Sequence, residues 1–513
     1  MKRGTFLSNL AGNGSSMAVN MVVGVWFTAY LVRKLGPASY GLIPLATTMA
    51  SYMSVLTLAL TAAVGRSITV AHGAGNTAEV DRVFNTAYVG CLVFSAVLLP
   101  VALVVGYLTP HWLSVPAGQE NEARILFIAA GLVFLLTTAS TPYGVALFCR
   151  NRLDLSSLIN AGMTLLRVGI VALLFSLTMP DLWQVAAGIF CAAVAGTLVS
   201  IFFSRRLMPE LKFRPSAFSP ETLKGLASTG LWVSVTQFGT ILMLSVDLLM
   251  VNLLLGAFAA GKYAIPLQLS TLMRQIFSTL GGLFTPTIMA MHGAGDRDAL
   301  IAYVARAIRT IGFLAALAAG LLCGFASPLL TVWLGRDFAY LAPLVWLMIA
   351  PLAVNLAIFP MFGLALTVNK VRGPAVVTIA LGLVHVGLAW FLVERAGWGM
   401  YGVAMSAISL LSFKNVFYIP WYTARAVQIP VWSMLGPVIR VGLVTLVVWG
   451  IAAATSHWLP VSSWSSFFAS GAFAGLLSVA IIYAVFLDRA IKDDIHRAGY
   501  KAWASVAARR NAA

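Results

Sequence analysis

The chain has 513 residues, of which 60% are hydrophobic and only 10% charged, and its mean hydropathy is +0.91. A soluble domain carries about a quarter charged residues, so soluble classes are excluded and a polytopic membrane protein fits. The net charge of +17 does not point to nucleic acid, because the bases are spread through short loops between apolar runs, the pattern that sets membrane topology.

A span needs about 20 mostly apolar residues. On that rule fourteen spans follow, at 7–32, 40–65, 85–108, 123–148, 156–179, 183–204, 225–254, 260–290, 300–324, 341–366, 374–394, 400–422, 433–454 and 464–487. The N-terminus is basic like a signal peptide, but its apolar run is broken by Asn9, Asn13 and Asn20 and reaches Val32 without a convincing cleavage site. It reads as an uncleaved first helix. Pro44, Pro142, Pro266 and Pro286 are expected to kink their spans. Cys91, Cys149, Cys191 and Cys323 lie in or at the ends of apolar runs, with neither disulfide nor metal spacing. With the N-terminus inside, inner loops and ends hold 21 of the 33 Lys/Arg and outer loops six. Both termini are therefore expected in the cytoplasm.

Two stretches repeat. LGPASYGLIPL (35–45) leads to AHGAG (71–75), and LGAFAAGKYAIPL (255–267) leads to MHGAG (291–295). Six spans separate them, an even number, so both copies face the same way. Parallel repeats of this kind place a substrate site between two halves. The expected division is a six-helix lobe (1–204), a cytoplasmic linker (205–224), a second six-helix lobe (225–425), two additional spans (426–487) and a basic tail (488–513).

Two motifs are decoys. Gly256 to Tyr263 matches a phosphate-binding loop until Tyr263 replaces the metal-holding Ser/Thr, and no strand precedes it. The HGAG pairs at His72 and His292 have no nucleophile beside them and read as helix-ending turns.

The polar residues inside spans are informative. Asn9, Asn13, Ser16 and Asn20 are spaced 4, 3 and 4 on the first span, which puts them on one helical face. On the seventh, Thr229, Thr236, Thr240 and Asp247 also fall on one face, since 18 residues are five turns, and Gln237 lies beside them. Such stripes turn toward other helices or a wet cavity; the plainer reading is hydrogen bonding between helices. Arg274, with Thr271, Gln275 and Ser278 at neighbouring positions, lies about 18 Å from the outer end of its span. Asp247, the one acid clearly inside a span, has a reachable depth and reads as its counter-ion or as a proton carrier. Arginine's planar fork suits phosphate oxygens; the alternative is a structural ion pair. Arg167, with Asn160 and Thr164, is a second candidate anion ligand. Lys414 and Arg440 lie closer to the inner surface, Arg306 and Arg309 read as interfacial, and His385 reads as a satisfied interior histidine.

The pattern LGPASYG, then VDLLMVNLLLGAFAAGKYAIPLQLS with TPTIMAMHGAGDRDAL, resembles the polysaccharide-transport, Wzx-type branch of the multidrug/oligosaccharidyl-lipid/polysaccharide (MOP) flippase superfamily over the first twelve spans. The resemblance implies an all-α polytopic fold of about fourteen helices, with two V-shaped six-helix lobes plus two extra C-terminal helices. It also implies alternating access, in which an undecaprenyl-diphosphate-linked oligosaccharide crosses a bacterial inner membrane toward the periplasm. Membrane lipids and polysaccharide polymerase or assembly proteins are implied partners. No catalytic residue, metal or cofactor is implied, and coupling to protons or sodium stays open. The related lipid II flippases place an arginine on the eighth helix in the cavity, and Arg274 holds a similar place. They also carry an Arg-Asp pair on the first helix, where this chain has asparagines. The substrate-binding residues expected are Arg274, Arg167, Asp247, Asn9, Asn13, Asn20, Gln237, Thr240 and Gln275. Two alternatives stand. A cation-coupled multidrug exporter of the same superfamily commonly has twelve spans. A membrane glycosyltransferase or O-antigen polymerase usually has a long outer loop, and no outer loop here exceeds about fifteen residues.

Overall fold

In lipid, each backbone N–H and C=O must be bonded within the protein, which leaves an apolar chain to fold as helices. The computed structural model describes residues 3–486 apart from 74, 75, 151, 210, 295, 296, 369 and 371. It describes their side chains apart from those of 3–11, 54–63, 66, 69–73, 148, 153, 215 and 225–236. The basic tail 488–513 and the side chain of His72 therefore lie outside the described residues.

No strand occurs among the described residues. The helices are α1 (Arg3–Gly73), α2 (Thr77–Trp112), α3 (Glu120–Cys149), α4 (Leu153–Leu177), α5 (Leu182–Leu207) and α6 (Pro220–Leu244). They continue as α7 (Asp247–Gly282), α8 (Thr285–Gly293), α9 (Arg297–Gly324), α10 (Ala326–Leu334), α11 (Ala342–Ile349) and α12 (Leu352–Ala357). The last are α13 (Phe359–Thr367), α14 (Arg372–Glu394), α15 (Gly399–Ser412), α16 (Ile419–Ala426), α17 (Trp432–Trp458) and α18 (Trp464–Ile481). A π-helical turn, Phe413–Tyr418, joins α15 to α16.

Twelve stretches among the described residues are long and apolar enough to cross a membrane. Two of them, Gly12–Met53 with 42 residues and Gln237–Gly293 with 57, are double. At 1.5 Å per residue even the shorter is about 63 Å long, twice the roughly 30 Å of a hydrocarbon core. Each holds two of the fourteen expected spans.

The breaks fall where the sequence repeats. Gly36 has φ 78°, ψ 163° inside α1, and Gly256 has φ 86°, ψ 174° inside α7. Only glycine occupies this region without strain of about 1–3 kcal/mol, so the repeated glycine builds the same corner in both copies. Pro44, Pro142 and Pro266 lie within helices, whereas Pro286 opens α8. The tenth span is divided further, into α11, α12 and α13, with Pro351 capping α12 and Pro360 in the first turn of α13.

The chain forms two compact units, residues 1–265 with 375–407 and residues 266–374 with 408–513. This partition follows spatial contacts and differs from the lobes drawn by counting spans. In the first unit, Val64, Ile68, Val80, Phe84, Tyr143 and Ala146 form a core around α1, α2 and α3. Met208 and Leu211, from the expected linker, complete that core. The linker is docked: Asn85 Nδ2 donates to Lys212 O at 3.0 Å, Asn85 Oδ1 accepts from Arg214 N at 2.6 Å, and Thr86 Oγ1 accepts from Ser219 N at 3.1 Å. Asn85 and Thr86 are fully buried. Asn85→Leu strips two backbone partners at once and is expected to cost about 2–6 kcal/mol, at 1–3 for each buried group left unsatisfied. Faster proteolytic nicking between 208 and 219 checks this; unchanged nicking counts against a docked linker.

In the second unit α9 and α17 pack in parallel. Gly312, Gly320 and Gly324 of α9 leave open the positions that Val441, Val448 and Ala452 of α17 occupy.

Candidate functional site

The seventh span is not one helix. α6 ends at Leu244 and α7 begins at Asp247, so the five-turn alignment of Asp247 with Thr229 does not hold. The sequence expectation assumed continuity; what interrupts it is a turn at Ser245 and Val246, where Ser245 O accepts from Tyr52 Oη at 2.7 Å. The break places the Asp247 carboxylate at a helix N-terminus, where the backbone dipole favours negative charge.

Asp247 is 5% exposed and both its oxygens are engaged. Tyr263 Oη donates to Oδ2 at 2.9 Å, and His385 Nε2 meets Oδ1 at 2.8 Å. His385 is 0% exposed, and its Nδ1 lies 2.9 Å from Ser406 Oγ. Ser406 Oγ also lies 3.1 Å from His385 O, so both ring nitrogens of His385 have a polar partner. The expected partner of Asp247 was Arg274; in the structure Tyr263 and His385 take that place, joining α7 to α14. His385 is the satisfied interior histidine expected, and its neighbour is an acid.

Asn20 Oδ1 accepts from Thr164 Oγ1 at 2.6 Å, and Asn20 Nδ2 donates to Ser16 Oγ at 3.4 Å. This ties α1 to α4. Ser16 is buried and Asn13 exposed; Asn9, Thr229 and Thr236 lie outside the described side chains. Gln237 and Thr240 are half-buried. The Arg167 guanidinium sits 5.7 Å from the Phe27 ring centroid. Its Nε is buried with no hydrogen-bond partner among the described residues.

One turn from Thr164, Asn160 lines a cavity of about 220 Å³ with Thr137, Thr141, Ser156, Thr197 and Ser200. Sequence reading passed over this hydroxyl cluster. Its signal was Thr137/Thr141 and Ser156/Asn160 at i,i+4 and Thr197/Ser200 at i,i+3 on three separate spans, each weak alone.

In the second unit Arg274 is half-buried and Gln275 exposed. Thr271 and Ser278 return their protons to carbonyls of their own helix, Leu267 O at 2.9 Å and Gln275 O at 3.0 Å. Lys414 is 8% exposed, in the π-helical turn, and lies close enough to Arg274 for the two cations to repel. π-Turns inside helices are frequent at functional sites. Beside it, the buried Asn415 Oδ1 has no hydrogen-bond partner among the described residues. From Pro266 to Pro374 and from Ile408 to Phe486, the acids in the sequence are Asp296, Asp298 and Asp337. Asp298 lies in the first turn of α9 and Asp337 precedes α11, so beyond these ends the unit's spans carry cations and no carboxylate in the sequence.

The fold is that of multi-pass membrane transporters. An inward-facing multidrug resistance MATE family transporter of the MOP superfamily matches with a TM-score of 0.67 at 16% identity, covering 82% of this chain and 98% of that one. The lipid II flippase MurJ, in an inward closed conformation, matches with a TM-score of 0.67 at 13% identity, covering 94% and 99%. Among curated proteins, the membrane protein EpsK of Bacillus subtilis (strain 168) is 33% identical over 94% of both chains. A putative O-antigen transporter of Shigella flexneri is 21% identical over 82% of this chain and 98% of its own. The model of the polysaccharide biosynthesis protein family matches residues 6–292, and the chain belongs to that family.

Proposed function

We propose that this protein flips an undecaprenyl-diphosphate-linked oligosaccharide, the repeat unit of an O-antigen or exopolysaccharide, from the cytoplasmic to the periplasmic leaflet by alternating access. It does so in a bacterial inner membrane, with both ends of the chain in the cytoplasm and without a catalytic step. The observation that carries this reading is the Arg274–Lys414 pair in a unit whose spans contain no acid beyond their ends. A charge at the bilayer centre costs about 2.5–3.5 kcal/mol on insertion scales, and two adjacent cations raise each other's cost. An anionic cargo offsets it, and a diphosphate presents the oxygens that a guanidinium and an ammonium recognise. Arg167 supplies a further cation. Asn9, Asn13, Asn20, Gln237, Thr240 and Gln275 serve sugar hydroxyls; Asn20 keeps one amide hydrogen and one lone pair beyond its bonds to Thr164 and Ser16. Asp247, paired with His385, carries the proton of any proton-linked step. Membrane potential helps: each negative charge moved outward across 100 mV gains about 2.3 kcal/mol.

Reconstituted vesicles loaded with a lipid-linked oligosaccharide test this. R274Q and K414Q are each expected to slow flipping about 10-fold or more, since a hydrogen bond to a charged group contributes about 1.5–3 kcal/mol. Unchanged flipping in both, and in R167Q, would remove the anion-binding reading. Efflux of an organic cation with no movement of lipid-linked sugar would favour the multidrug exporter instead; the spans of the second unit, with no acid beyond their ends, speak against that cargo.

A further inference from the structure

Three more arginines of the second unit lie on its membrane-spanning helices. Arg306 and Arg309 sit three residues apart on α9, on one face, and Arg440 lies on α17. The level is fixed by packing: Val441 fills the space left by Gly312, which is three residues after Arg309, while Arg440 immediately precedes Val441. The parallel pairing of Gly320 with Val448 and Gly324 with Ala452 holds this register along both helices. Arg309 therefore stands beside Arg440, and its guanidinium lies within electrostatic reach of those of Arg440 and Arg306. Arg309 is about 18 Å along α9 from Arg297 and Arg440 about 12 Å along α17 from Trp432. Arginine stems of this kind reach back along apolar surface toward the interface. Arg440 is exposed and Arg306 and Arg309 are half-buried, while the neighbouring Ile439 and Leu443 are exposed apolar residues.

Three converging cations with one exposed member, bordered by apolar side chains on helices long enough to span a bilayer, match an anionic headgroup whose chains lie in the membrane. We propose that Arg306, Arg309 and Arg440 form a binding site for the phosphate of an anionic lipid, in the leaflet at the Arg297 end of α9. Charge counting makes that the cytoplasmic leaflet. The site is separate from Arg274 and Lys414 and does not depend on the cargo proposed above. The phosphate belongs to a resident lipid that stays bound while α9 and α17 keep their register.

Native mass spectrometry of the full chain, exchanged into phosphatidylglycerol or phosphatidylcholine, tests this. The wild type is expected to retain phosphatidylglycerol preferentially. R440Q, at an exposed position that spares the fold, should lower that preference about 5-fold, and R309Q/R440Q about 25-fold, at roughly one surface-charge contribution per arginine. K262Q, in the first unit, should leave it unchanged. Equal retention of both lipids by the wild type, or an undiminished preference in R440Q and R309Q/R440Q, would overturn the proposal. Displacement of phosphatidylglycerol by inorganic pyrophosphate at millimolar concentration would overturn it too, because the ligand would then be a soluble phosphate.

Discussion

Asp247→Ala is expected to destabilise the protein by about 3–5 kcal/mol, the range for breaking a buried charged pair by removing one partner. Both neighbours lose an acceptor. Tyr263 Oη has no carboxylate oxygen at 2.9 Å, and His385 keeps Ser406 alone. Asp247→Asn separates charge from shape. Its amide oxygen still accepts from Tyr263 and its NH2 donates to a neutral His385 Nε2, so most of the stability should return. The movable proton is lost, because an amide does not titrate. Thermal unfolding in detergent reads the first effect. A double-mutant cycle with His385→Ala, expected to show coupling of about 0.5–3 kcal/mol, ties it to this pair. A D247A melting curve that overlays the wild type, or additive single mutants, would refute the network. Loss of a pH-dependent component of flipping in a stable D247N protein would place the proton there.

Gly261→Ala should have a comparable effect by a different route. A Cβ at Gly261 would overlap the Pro37 carbonyl, and one at Gly41 would lie 2.6 Å from Gly261 N. Each glycine is the fifth residue after a corner glycine, Gly36 or Gly256, so equivalent positions of the two repeats touch each other. Overpacking a core costs typically about 1–3 kcal/mol, and here backbone meets backbone with no rotamer to yield, so the top of that range or more is expected. Little folded protein should be recovered from membranes. Gly450→Ala, where a Cβ meets nothing within 4 Å, is the control and should be neutral or slightly stabilising. Wild-type recovery of G261A would mean that the helices separate at this crossing without loss.

The repeat shows how far reading along the chain reaches. LGPASYG and LGAFAAG were visible as related segments because glycine at the corner and at the crossing is demanded by backbone geometry, and that demand leaves a mark in sequence. The hydroxyl cluster around Asn160 and the docking of Lys212, Arg214 and Ser219 on Asn85 and Thr86 left none. Serine, threonine and asparagine satisfy themselves in so many ways that a spacing of three or four residues on a single span does not say where they turn. The candidate cations were legible one by one, since a base at membrane depth is conspicuous, but their neighbours were not. Arg274 with Lys414, and Arg309 with Arg440, come together from segments more than 100 residues apart.

The sequence by itself determined the class, the spans and the repeat. These follow from hydropathy, helical rise and net charge, which depend on local composition alone. Tertiary structure decided that Asp247 pairs with His385 across 138 residues, that the seventh span breaks at Ser245, and that the polar connection before α6 is docked. The reason is that a buried hydrogen bond depends on which side chains packing brings within about 3 Å, and hydropathy is indifferent to that choice among helices equally fit for lipid.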